Sequence, residues 1–142
     1  MGRTSARDLI RVILREANLS GASLANANLS GANLAKADLS RAKLNQAILN
    51  TTNLREAGLK GAELWGAFLP NAKLSGADLT GANLIEANLN RTEFIKTDIS
   101  GANLTGERPK SLRRRPVFAS WRPGPGTGSP KPGTGERSPK RR

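Results

Sequence analysis

A single five-residue phrase repeats without a break from Val12 to Gly106, and neither a helix nor an extended strand can carry it. Its central position, every fifth residue from Leu14 to Leu104, is Leu in seventeen of nineteen cases, with Phe94 and Ile99 as the exceptions. The position two before it, from Ala17 to Ala102, is Ala in fifteen of eighteen, with Thr52, Thr92 and Thr97 as the rest. On an α-helix five residues advance the side chain by about 500°, so these Leu would wander round the cylinder and leave no apolar stripe. In a continuous strand Ala and Leu two apart share a face, but the next Ala, three residues on, falls on the other. The pattern closes only if the chain turns a corner in the two residues after each Leu, so that every Ala and Leu points to one axis. The fold class is therefore an all-β solenoid.

Charge pairs indicate how many sides each coil has, because residues in successive coils stack at strand spacing, about 4.8 Å. At a separation of twenty the charged pairs are Glu16/Lys36, Lys36/Glu56, Lys43/Glu63, Lys73/Glu93 and Asp78/Asp98, four of five attractive. At fifteen they are Arg41/Glu56, Glu63/Asp78 and Asp78/Glu93, two of three repulsive. The pairs favour four sides. Eighteen full repeats from Ala17 onward then make about four and a half coils, a column of roughly 22 Å. Each buried Leu contributes about 1.5 to 3 kcal/mol before the cost of ordering it.

Phrases such as ANLSG at 17–21 and 27–31, ADLTG at 77–81 and ANLTG at 102–106 resemble the pentapeptide-repeat family. The resemblance implies a right-handed quadrilateral β-helix with four repeats per coil and β-turns at the corners. It implies a scaffold more than an activity. Some members are similar to duplex DNA in size and charge and bind a topoisomerase, but that needs a strongly acidic rod. Here residues 12–106 carry a net charge of only +1.

The ends of a solenoid need cover, since an open coil exposes its Leu and its unpaired backbone. Residues 1–11 are expected to form an N-terminal cap, with Ser5 and Asp8 as a capping box ahead of Leu9, Ile10, Val12 and Ile13 and a short helix over Ser5 to Arg11. The competing reading takes residues 7–16 as two degenerate repeats, RDLIR and VILRE. After Gly106 the composition changes abruptly. Within 107–121, Leu112, Val117, Phe118 and Trp121 are expected to fold back as a C-terminal cap over the last coil or onto an apolar patch. From Arg122 to Arg142, Pro, Gly, Ser and basic residues predominate, too poor in apolar content to offset ordering entropy, so disorder is expected.

Most of the net charge of +12 lies in that tail: residues 1–11 carry +2 and residues 107–142 carry +9. Arg113, Arg114, Arg115, Lys140, Arg141 and Arg142 are candidate anion-binding residues, so that nucleic acid or a membrane surface would be met through the tail only. With no Cys and no His, disulfides, thiolate chemistry and the usual transition-metal ligands are removed. A core filled with Leu and Ala leaves no pocket for a catalytic pair, so no enzyme, cofactor, metal or small-molecule substrate is expected. Asp78 and Asp98 share a column with Asp38, read as a solvated face, and Phe94 is read as a larger plug near the end. The Asn-x-Ser/Thr triplets at Asn18, Asn28, Asn50 and Asn103 read as by-products of the repeat. The sequence shows neither a secretory signal nor a membrane-spanning run, which makes cytoplasm the expected compartment.

Outward positions are mostly polar, with one departure. Trp65 and Ile85 lie twenty apart at the position after the central Leu, and Ile48 and Phe68 lie twenty apart at the position before it. Across one corner these four should form a contiguous apolar patch, the expected contact surface for a protein partner or a second copy of the chain.

Overall fold

Every repeat closes on a tight corner, and the corner is the same twenty times. The computed structural model describes residues 8–106. In each repeat the N–H three residues after the central residue donates back to its carbonyl, as Ala17 does to Leu14 (3.0 Å), Ala62 to Leu59 (3.0 Å) and Thr97 to Phe94 (3.2 Å). The third residue of the turn has positive φ at every corner from Arg11 to Gly106, while no second turn residue does. That is the type II β-turn, which places one residue in the left-handed region. Gly occupies eight of the twenty positions and twelve carry a side chain, among them the β-branched Thr51 at φ 57°.

Asn or Asp before the central residue secures the corner. From Asn18 onward there are ten of them, and in all ten Oδ1 accepts the N–H two residues on, as Asn18 does from Ser20 (3.1 Å) and Asn53 from Arg55 (3.2 Å). Where that next residue is Ser or Thr its hydroxyl often donates to the same oxygen: Ser30 to Asn28 and Ser40 to Asp38, each at 2.6 Å, and Thr80 to Asp78. The phrase Asn/Asp-Leu-Ser/Thr-Gly is thus a turn written twice, once in backbone and once in side chain.

Ninety-degree corners stack residue n on residue n+20. Parallel bridges join Asp8 to Asn28, Ile13 to Asn33, Asn18 to Asp38 and Ser23 to Lys43, and continue in the same step to Asn83 and Asn103. The rod therefore has four walls, numbered here by their central residues: wall 1 from Leu9 to Leu89, wall 2 from Leu14 to Phe94, wall 3 from Leu19 to Ile99 and wall 4 from Leu24 to Leu104. Three backbone bonds per repeat tie each coil to the next, for example Leu34 N–H to Asn53 O (2.7 Å), Lys36 N–H to Arg55 O (2.9 Å) and Asn53 N–H to Ala32 O (2.9 Å). Leu44 and Leu64 stand one above the other on wall 4, with Leu44 N–H donating to Glu63 O at 2.7 Å. Among the charge pairs that pointed to this register, Lys36 and Glu56 approach to 3.9 Å. Lys73 and Glu93 are bridge partners, yet the Glu93 carboxylate is taken by Arg55 at 3.1 Å.

From Ala27 to Leu104 every inward Leu, Ala, Ile and Phe is buried, Phe94 among them. The inward Thr are buried too, and their hydroxyls are engaged: Thr52 donates to Leu29 O (2.8 Å), Thr92 to Leu69 O (2.8 Å) and Thr97 to Leu74 O (2.7 Å), each reaching the coil below. Alternation of Thr with Ala in the column of Val12, Ala32, Thr52, Ala72 and Thr92 is a matter of volume, since each branched side chain has a small neighbour in the next coil. It is also one of satisfied polarity.

The N-terminal expectation needs correction where it can be checked. Residues 8–11 are not helix: Asp8 bridges Asn28, Leu9 N–H donates to Asn28 O (2.7 Å), Arg11 N–H donates to Ser30 O (2.8 Å), and Arg11 has φ 57°. The solenoid thus already includes residues 8–11, ahead of Val12, and the described residues make five coils. The apolar residues that mimicked a helical face divide instead between the two sides of a coil. Leu9 and Val12 point inward and are half-buried, whereas Ile10 and Ile13 are 49% and 76% exposed. Ladder bonds to the second coil outweigh a capping-box match, because a lone turn of helix has a costly nucleus. Residues 1–7, the cap segment 107–121 with Leu112, Val117, Phe118 and Trp121, and the tail with its Arg and Lys lie outside the described residues.

Candidate functional site

The four walls share one backbone, so any difference in what they can do lies in the outward residues. Walls 2, 3 and 4 each carry charge, through Arg55, Lys73 and Glu93, through Asp38, Lys60, Asp78 and Asp98, and through Lys43 and Glu63 respectively. On wall 1 none of the outward residues from Asn28 to Asn90 is charged. At its centre Ile48 and Phe68 are bridge partners, and their side chains stand 37% and 43% exposed. Asn28 precedes them and Asn88 follows them in the same column.

The corner between walls 4 and 1 extends this surface. Trp65, 40% exposed, sits in the turn that feeds Phe68, with its backbone N–H donating to Asn45 Oδ1 at 2.9 Å. Ile85, half-buried, lies one coil further along, linked through Gly66 N–H to Ile85 O at 2.8 Å. Corner residue Gly66 has φ 65°, and a Cβ there would come within 3.3 Å of Gln46 Cγ. On the far edge of wall 1, Pro70 and Asn71 (φ 61°) hold the second and third places of a type II turn, the residues that turn prefers. The four residues expected to converge, Ile48, Trp65, Phe68 and Ile85, thus occupy adjacent positions on two coils and one corner.

Two features of this surface were not found by reading the sequence for apolar pairs. One is the absence of charge along wall 1 from Asn28 to Asn90, visible only when the chain is written twenty residues to the line. The other is Pro70, which adds a rigid apolar ring between Phe68 and the next corner. Ile95, 60% exposed, was also missed; it lies on the corner between walls 2 and 3, diagonally opposite Trp65, beside Lys96. Polar groups at the upper margin are close together: Ser30 Oγ lies 2.6 Å from Asn28 Oδ1 and 2.8 Å from Asn50 Oδ1, with one hydroxyl proton between the two acceptors.

Wall 3 has the other distinctive chemistry. Asp38 and Asp98 each have a pKa held below the ordinary carboxylate value, first by the hydroxyl and then by the backbone N–H of Ser40 and Ser100. Both carboxylates are spent on their own turns. Asp78 and Asp98 are bridge partners of like charge, and among the described residues no three His, Cys, Asp or Glu side chains converge on a metal position. Nor, among those residues, is any helix long and apolar enough to cross a membrane.

A profile of pentapeptide repeats matches the chain in eight copies over residues 8–50, 37–76, 52–91 and 72–106. Among solved structures, a pentapeptide repeat protein of the Arabidopsis thaliana thylakoid lumen is 30% identical, with a TM-score of 0.67 over 70% of each chain. A pentapeptide repeat protein of Nostoc is 33% identical over 78% of this chain and 84% of its own, with a TM-score of 0.41. One from the cyanobacterium Cyanothece is 46% identical over 56% of this chain and 58% of its own, with a TM-score of 0.32. No curated protein matches.

Proposed function

The chain belongs to the pentapeptide-repeat family, whose members form right-handed β-helices, and on that premise we propose that it is a non-enzymatic scaffold that binds protein through wall 1 and the Trp65 corner. The observation that carries this reading is the coincidence of two departures on one wall: loss of all charge from Asn28 to Asn90, and exposure of Ile48 and Phe68 at its centre beside Trp65. An exposed apolar patch with a neutral, amide-rich margin has the composition of an interface core, where charge is depleted and aromatic residues anchor. The rod holds these side chains on a backbone bonded above and below, so little is lost in ordering them on binding. Trp65→Ser with Phe68→Ser, both outward, should leave the fold intact and abolish capture of the partner in a pull-down. Identical capture by the intact chain and the double variant removes wall 1 from consideration.

A second reading rests on the charge of +9 in residues 107–142. Through Arg113, Arg114, Arg115, Lys140, Arg141 and Arg142 the tail would hold anionic polymers or a membrane surface, with an affinity that falls steeply as salt rises. Equal retention of the intact and tail-deleted chains on heparin rules this out. Imitation of duplex DNA has less support, because basic and acidic residues alternate on walls 2 and 4 and Lys60 interrupts the carboxylates of wall 3. We assign the protein to the cytoplasm as part of the same proposal; a lumenal relative shows that the fold is no guide to compartment.

A further inference from the structure

The patch on wall 1 is near-symmetric about its own midpoint. Beyond Asp8 at its start, its central column reads Asn28, Ile48, Phe68, Asn88, each the bridge partner of the next. That order is the same in chemical character read from either end: amide, apolar, apolar, amide. Rotate a second copy by half a turn about an axis lying across the wall between Ile48 and Phe68. Ile48 then opposes Phe68 of the second copy, Phe68 opposes its Ile48, and the two Asn pairs oppose each other. The same rotation brings the Trp65 corner of one copy against the Trp65 corner of the other, because an axis across the rod reverses height and keeps each edge on its own side. Charge offers no obstacle, since no outward residue of the wall between Asn28 and Asn90 is charged. A parallel arrangement loses this match: it would set the Trp65 corner against the opposite corner, which carries Thr51 and Asn71.

Resting on the reading of wall 1 as the binding surface, we infer that its partner is a second copy of this chain, packed wall to wall and antiparallel. Four coils of wall with one corner bury on the order of 500 Å² per partner, against roughly 800 Å² per partner in a standard stable complex, so the dimer should be weak and in exchange with monomer. Isologous pairing also closes on itself, which confines the assembly to two chains.

Sedimentation of the full chain over a wide concentration range should show monomer and dimer in reversible equilibrium. Ile48→Lys and Phe68→Glu should each weaken association at least tenfold, and the two together should restore it, because position 48 faces position 68 of the other copy. Recovery in the double variant cannot come from a misfolded chain. Geometry is read separately by cross-linking. The chain has no Cys, so Asn28→Cys and Asn88→Cys introduce unique thiols, and a short bis-maleimide spanning the ~10 Å between packed sheets should join the two variants when mixed but neither variant to itself. Joining of Asn28→Cys to itself overturns the antiparallel arrangement. A strict monomer at every concentration overturns self-recognition while leaving the wall 1 reading to its own pull-down. A dimer indifferent to Ile48→Lys and Phe68→Glu overturns both.

Discussion

Thr51 occupies a place in the backbone that its side chain resists, and replacing it should make the protein more stable. It is the third residue of a type II corner with φ 57°, the one β-branched residue among the twelve non-Gly corners. A branched Cβ in the left-handed region costs about 1 to 3 kcal/mol relative to its preferred conformations. Thr51→Gly removes that strain but returns about 0.5 to 1 kcal/mol through the greater freedom of Gly in the unfolded chain. It also loses a hydroxyl bond to Asn50 O at 2.5 Å, which lies at the surface and adds little. The balance is a gain of about 1 kcal/mol, a rise in melting temperature of roughly 4 to 8 °C for a domain of this size. The converse control is Gly81→Ala. At Gly81 φ is 69° and an added Cβ would meet nothing within 4 Å, so the substitution tests conformation alone. It should cost about 1 kcal/mol, the left-handed penalty of ~1 to 2 kcal/mol less what Ala saves in the unfolded state. Thermal melts followed by circular dichroism, with urea titrations beside them, measure both. If Thr51→Gly lowers the melting temperature while Gly81→Ala leaves it unchanged, corner strain does not set the stability of this rod.

Three further expectations follow from the same structure. Leu64→Ala, in the buried interior of wall 4, should cost about 2 to 5 kcal/mol in urea unfolding, and Leu14→Ala in the half-buried first coil less than half as much; equal losses would mean that the first coil is as covered as the third. Thr52→Val should cost about 0.5 to 1.5 kcal/mol and Thr52→Ser less, because Val cannot donate to Leu29 O whereas that oxygen keeps its bond from Ala32 N–H at 3.0 Å. Asp38 and Asp98 have lowered pKa values in the folded state, so their contribution is present above the unfolded carboxylate pKa and is lost as pH falls through the folded one. Melting temperature should therefore decline on acidification below about pH 4, and Ser40→Ala with Ser100→Ala should flatten the decline; an unchanged slope would show that the hydroxyls do not stabilise the charged form.

What the sequence disclosed and what it hid divide along the wall of the rod. The inside was legible because it repeats: seventeen Leu in one register leave a corner after each as the only solution, and the charge pairs at twenty gave the number of sides. The start admitted two readings: Ser5, Asp8 and the run Leu9 to Ile13 satisfy the local rules for a helix N-terminus, whereas residues 8–16 follow the alternative of degenerate repeats. Those rules weigh short-range contacts, whereas Leu9 and Arg11 are held by bonds to Asn28 and Ser30 in the next coil. Four patch residues were placed from spacing alone. The neutrality of the surrounding wall was not, because it is a property of residues scattered at intervals of twenty and no local window contains it.

That division has a consequence for where function can reside in such a chain. Inward positions are fixed by packing, and the residue before the central Leu is in ten repeats committed to its own turn. Repeats that give up the Asn or Asp at that position free it to present a different side chain to another molecule. Ile48 and Phe68 do so in consecutive coils of one wall, and they forgo the side-chain cap on two successive corners. Asn71 and Pro70 then supply, at the Phe68 corner, the turn preference that the missing Asx acceptor would have given. Lys43 and Glu63 make the same departure on wall 4 and Lys73 and Glu93 on wall 2, but as charges that are solvated or paired within the rod, as Glu93 is with Arg55. An apolar pair left half-exposed has no such resolution among the described residues. In the inferred dimer, the second apolar surface that covers it is the same wall of another copy, met in reverse order.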